Sequence, residues 1–173
     1  MNKYRVLMLL FGAWIGLSLN ACVCVDCGYT PVPDAKPIYL SYTDLRASVA
    51  VKPAQPLLKP AKIYSYQNHL FINEPNQGVH VFDNIDKTAP QNIGFISIPG
   101  NVDIAIKGGF LYADSYIDLV VIDIRDPANI LEVGRQKAIF PYDAYQNVPQ
   151  QVYLGWVDES KGVVVGFNYG SGQ

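Results

Sequence analysis

The chain has 173 residues, half of them apolar, with only 16% charged and Lys+Arg at 13 nearly balancing Asp+Glu at 15. That length suits one domain with a sizeable core, and the near-neutral balance provides no basic footprint, which excludes a nucleic-acid partner. Twelve tyrosines, with frequent Val and Ile, predict a β-rich chain, and the three cysteines all fall between 22 and 27, so the rest of the chain has no disulfide framework.

Taken from its start, the chain has Lys3 and Arg5 ahead of an apolar run from Val6 to Leu19, the order of a secretory signal. The run is short for a membrane span, which needs about 20 apolar residues. It ends in Leu19-Asn20-Ala21-Cys22, which resembles the lipobox of bacterial lipoproteins: an aliphatic residue at minus three and a small one at minus one before a cysteine. The resemblance implies that residues 1–21 are a lipoprotein signal peptide, that Cys22 receives a diacylglycerol, and that cleavage makes it the acylated first residue of the mature chain. Two or three acyl chains, at about 0.8 kcal/mol per buried methylene, hold a protein stably on a bilayer. Val23 stands where the inner-membrane retention signal of enteric bacteria has Asp, so the resemblance implies an outer-membrane address in the cell envelope. An ordinary cleaved signal, or an uncleaved anchor with an incidental Cys22, is the other reading. Cys24 and Cys27 have C-x-x-C spacing but neither a βαβ context nor further zinc ligands, which predicts a local disulfide or two free thiols beside the anchor.

Six prolines between Gly28 and Pro60 favour extended chain and resist helix. Residues 22–60 are therefore expected to be a Cys-anchored, Pro-rich tether, in which only Thr43–Val49 is a candidate for order, as a helical turn or as a strand completing a sheet. From Lys62 the pattern changes to short β-formers separated by turn residues: Ile63–Tyr66, Leu70–Asn73, Val79–Asp83 and Ile93–Ile98. Adding forty to these numbers recovers a second copy. Val79-His80-Val81-Phe82-Asp83 becomes Leu119-Val120-Val121-Ile122-Asp123, while Asp86 becomes Asp126 and Gly94 becomes Gly134. A period near forty residues is the signature of a propeller-type repeat.

The second copy, Leu119 to Asp123 followed by Asp126-Pro127, resembles the LVIVD repeat of bacterial cell-surface proteins. The resemblance implies β-propeller blades of four strands each. A third copy starts at Pro141–Tyr145, with strands expected at Gln151–Trp156 and Gly162–Phe167, and then stops in mid-pattern. The fold expected is thus all-β, with two full blades and one partial blade over residues 61–173. Since propellers close with four to eight blades, the expectation is an incomplete propeller, through truncation of a longer one or by assembly between chains.

The acidic pairs Asp83/Asp86 and Asp123/Asp126 are read as structural repeat turns, each carboxylate bonding backbone N–H groups two residues on. Ca²⁺ ligation would need a richer acidic loop. His69 and His80 are expected in a turn and on a sheet surface, and a metal site there would need carboxylates such as Glu74. Gly108-Gly109 is expected as a hairpin turn. Tyr142, Tyr145, Tyr153, Trp156 and Tyr169 are strand filling or a recognition surface. No catalytic residue, metal or cofactor is assigned. The function expected is a non-enzymatic, lipid-anchored envelope scaffold that binds a protein or glycan. The alternatives are an enzyme of hydrolase or lyase type with its active site in further blades, and a non-functional fragment.

Overall fold

The computed structural model describes residues 35–169, which belong to one compact unit. The signal, Cys22 and the C-x-x-C pair lie outside the described residues. Among the described residues, no helix is long and apolar enough to cross a membrane.

The elements in order are β1 (Lys36–Leu40), α1 (Tyr42–Ala47), β2 (Ala50–Lys52), β3 (Ile63–Tyr66), β4 (His69–Glu74), β5 (Gly78–Asp83), β6 (Gln91–Ser97), β7 (Ile104–Lys107), β8 (Phe110–Ser115), β9 (Asp118–Asp123), β10 (Leu131–Gln136) and β11 (Val163–Asn168). Strands β3 to β6 form one antiparallel meander and β7 to β10 another, each a four-stranded blade as the period predicts. One face of the first blade, the front, presents Phe71, Val79, Val81 and Ile96. The back face of the second blade presents Leu111, Ala113, Val120 and Ile122, and the two sets form one buried core. Burial of these side chains, roughly 1.5–3 kcal/mol for each Val, Leu, Ile or Phe among them, is what joins the blades.

The gapless forty-residue alignment is corrected by the strand registers. Glu74 pairs with Gly78 around a three-residue turn, Pro75-Asn76-Gln77, whereas Ser115 pairs with Asp118 around two residues, Tyr116-Ile117. The extra residue makes the offset 41 ahead of this turn and 40 after it. Phe71 therefore corresponds to Tyr112, and not to Leu111, which points to the opposite face. A slip of one residue exchanges the two faces of a strand, and apolar residues at both Leu111 and Tyr112 concealed it. The longer turn depends on Gly78 (φ +140), where an added Cβ would lie 2.0 Å from the Ile96 carbonyl oxygen.

The tether expected over 22–60 does not hold from residue 35 onward. Ser41 caps α1 by accepting from the Asp44 N–H, and Leu45 on that helix is fully buried. Strand β2 adds a fifth strand to the first blade, antiparallel to β6, with Val51 opposite Ile96. Strand β1 pairs with β11. Proline content misled here because Pro37 sits in a two-stranded sheet, where a missing N–H donor is tolerated. The third copy is also changed: Gln151–Trp156 makes only an isolated bridge, Ala35 to Leu154, and β11 takes its partner from the N-terminal segment. The β1–β11 sheet has Val164 in a cluster with Ala35, Val148 and Val152, and Val163 in another with Leu45, Tyr116 and Ile117.

Candidate functional site

Asp83 accepts from the Ile85 N–H (2.9 Å) and Asp86 from the Thr88 N–H (2.9 Å). Asp123 accepts from the Arg125 N–H (3.0 Å) and Asp126 from the Ala128 N–H (3.0 Å). All four thus make the same Asx turn, which completes backbone hydrogen bonding where a strand ends. The Arg125 guanidinium also grips Asp123 through two nitrogens and, as the largest cause, holds its carboxyl down at about 2. Gly108 and Gly109 both have positive φ and form the two-residue hairpin between β7 and β8.

His80 is the main departure from expectation. It is fully buried on the back face of the first blade, packed edge-on against Phe95 at 4.7 Å. Its Nε2 lies 2.7 Å from Glu74 Oε2. Glu74 also accepts from the Lys59 N–H (3.0 Å). Burial pushes its carboxyl up, but the His80 bond and the backbone N–H groups of Lys59 and Leu58 outweigh this and hold it below the usual range. An ionised carboxylate only accepts, so His80 Nε2 carries the hydrogen, and His80 Nδ1 is left without a partner. In the second blade these places belong to Val120 and Ser115. The pair therefore belongs to the first blade alone, where it fastens the Pro-rich segment 53–60 across the back face. Asn92 does the same further along, donating to the Gln55 carbonyl at 2.8 Å. A cavity of about 550 Å³ opens between this segment and the blade, lined by Gln55, Leu58, Glu74, Phe95 and Asn147 among others. His69, at the far end of β4, is half-exposed and not brought to this pair.

A second cluster was not signalled by any motif. Asp118, fully buried at the start of β9, accepts from Arg46 Nε (3.0 Å), Arg135 Nη1 (3.2 Å) and the Ala138 N–H (2.8 Å). Burial raises its carboxyl, yet the two arginines and the backbone donor win and the value is lowered. Arg135 is itself held by Glu132 through two bonds of 2.8 and 2.9 Å. This network clamps α1 to the second blade.

The front face of the second blade carries a hollow of about 470 Å³ between β7, β8 and the segment after β10. Tyr112, Tyr116 and Phe140 line it together with Asp103, Asp114 and Gln146. Tyr116 (φ +53) is fixed from two sides: an added Cβ at Gly100 (φ +72) would come within 2.2 Å of its ring, and Asn147 Nδ2 donates to its hydroxyl at 2.5 Å. Asp114 accepts from the N–H groups of Val102 (3.0 Å) and Asp103 (2.8 Å), fixing the loop into β7. Asp103 pairs with Lys62 at 2.5 Å, both side chains being about half-exposed.

The C-terminal aromatics divide. Tyr142 is an anchor, its hydroxyl donating to the Gly162 carbonyl at 3.1 Å, and burial is the largest cause raising it to about 12. Tyr145 accepts from the Leu154 N–H at 3.2 Å. Tyr153 and Trp156 are 64% and 87% exposed, and together with Tyr169 they remain available to solvent.

No curated protein and no solved structure matches the chain. Residues 100–137 match the family model described as the LVIVD repeat. That stretch contains β7 to β10 and the motif at Leu119–Asp123, and the all-β, propeller-like second blade is accordingly an LVIVD repeat carried by this chain.

Proposed function

We propose that the chain is a lipid-anchored protein of the cell envelope, held at the outer membrane through acylated Cys22, whose blades act as a non-enzymatic scaffold for a protein or glycan partner. The reading includes an incomplete propeller of two full blades and one partial blade. The observation that carries it is the front face of the second blade. The equivalent face of the first blade is sealed by its neighbour, whereas Val102 and Phe140, which line the hollow, are 51% and 38% exposed. Exposed apolar surface rimmed by polar groups marks interaction sites. The recurrent acids are spent on turns, which supports a binding role for the blades over a catalytic one.

The anchor is tested by metabolic labelling with a palmitate analogue. The wild type is expected to take up label and Cys22→Ala to take up none; equal labelling of the two contradicts lipidation.

A further inference from the structure

We propose that the hollow on the second blade is a binding site for a small quaternary or alkylated ammonium cation, independent of any protein or glycan partner of the scaffold. Three aromatic rings line it, contributed by β8 (Tyr112), the β8–β9 turn (Tyr116) and the segment after β10 (Phe140). Asp103 and Asp114 are also among its lining residues, and among the described residues no basic side chain lines it. Aromatic faces attract cations through their quadrupole, and the attraction strengthens where water is excluded. Two carboxylates held in the same wall add the matching sign.

The repeat itself does not require this charge. At the offset of 41, Tyr112 stands where the first blade has Phe71, and Asp114 where it has Asn73, a buried neutral amide that donates to the Val102 carbonyl at 2.8 Å. The first blade thus closes the position with neutral groups beneath its neighbour, while the second turns it into an acidic, aromatic and open one. The wall is also set in advance. Tyr116 is pinned by Gly100 and Asn147, Asp114 by the backbone of the 102–103 loop, and Gln146 by donation to the Gly100 carbonyl at 2.6 Å. Preorganised walls lower the ordering cost of binding a small ligand. Lys62 lies outside the wall and pairs with Asp103. It competes for one of the two carboxylates.

The experiment is calorimetric titration of the full-length chain, in a neutral polyoxyethylene detergent, with four probes: choline, its neutral isostere 3,3-dimethyl-1-butanol, phosphocholine and methyl glucoside. Choline is expected to bind about tenfold more tightly than the neutral isostere, between the sizes of an exposed and a desolvated cation–π term. Phosphocholine is expected to bind more weakly than choline because its phosphate faces two carboxylates. Tyr112→Leu, which keeps apolar bulk and loses the ring, should weaken choline about tenfold, and Tyr112→Phe should retain it. Asp103→Asn should weaken choline and Lys62→Met should strengthen it, a pair of opposite effects that a merely structural role would not produce. The proposal is overturned if choline does not bind, or if the neutral isostere or methyl glucoside binds as tightly. Phosphocholine binding more tightly than choline would also overturn it, since that outcome assigns the site to a lipid headgroup.

Discussion

At the scale of single residues, Asp118 is the most exacting position in the described chain. Its carboxylate is out of solvent and answers two arginines, so removing it leaves charges without their partner, which typically costs about 3–5 kcal/mol. Asp118→Asn is therefore expected to lose about 3 kcal/mol or more in urea unfolding at neutral pH. The pH dependence follows from the direction of its shift. A carboxyl lower in the folded than in the unfolded chain contributes stability above its ordinary value near 3.8 and loses it as pH falls through the folded value. Wild type and Asp118→Asn should accordingly converge in stability in strong acid, and a constant gap at every pH would contradict this role. Gly78 gives a second test at this scale. Both its φ and the Ile96 carbonyl oppose a side chain, so Gly78→Ala should destabilise by about 2 kcal/mol or more in the same measurement.

At the scale of elements, the segment 53–60 and the pair beneath it form one device. Glu74 receives His80 from the blade and the backbone of Lys59 from the segment, so it is the point where the two are joined. Glu74→Ala leaves the buried His80 donor unsatisfied, at about 1–3 kcal/mol, and releases the Lys59 N–H of the exposed segment. The expected outcome is a loss of about 2 kcal/mol in stability and new proteolytic cleavage within 53–60, read by mass spectrometry. Unchanged cleavage would mean that the segment is held by other contacts. Much of the element pattern was legible in the sequence. The strands of both blades, the Gly108-Gly109 hairpin and the turn role proposed for the four aspartates all rest on local chemistry: alternation, positive φ and short-range hydrogen bonds. The one-residue register shift was not legible, because Leu111 and Tyr112 are both acceptable strand residues and only the pairing with β9 distinguishes their faces. The burial of His80 was equally hidden, since its cover comes from chain more than twenty residues upstream.

At the scale of the whole molecule, the N-terminal segment closes the structure. It places β2 on the outer edge of the first blade, α1 against Asp118, and β1 on β11, so contacts from residues 35–60 reach both blades and the C-terminal sheet. Proline density described that segment as a tether because its order comes from long-range pairing, which composition does not record. Tyrosines do much of the tying. The Tyr42 hydroxyl donates to the Glu159 carbonyl at 2.8 Å, and Tyr39 accepts from the Asp158 N–H at 2.7 Å, each linking the segment to chain more than a hundred residues away. A propeller-type repeat buries its blades against neighbours, and here the first blade is covered on its back by the segment and on its front by the second. The front of the second blade is left partly open, and both the proposed scaffold role and the proposed cation site lie on that face.

Residues 35–60 are part of the repeat fold and not a spacer in front of it. Hydrogen exchange of the full-length chain, followed peptide by peptide, tests this most directly. Amides in Lys36–Leu40 and Ala50–Lys52 are expected to exchange slowly and in step with their partners in β11 and β6. Exchange of those two segments within seconds, with β6 still protected, would contradict the account.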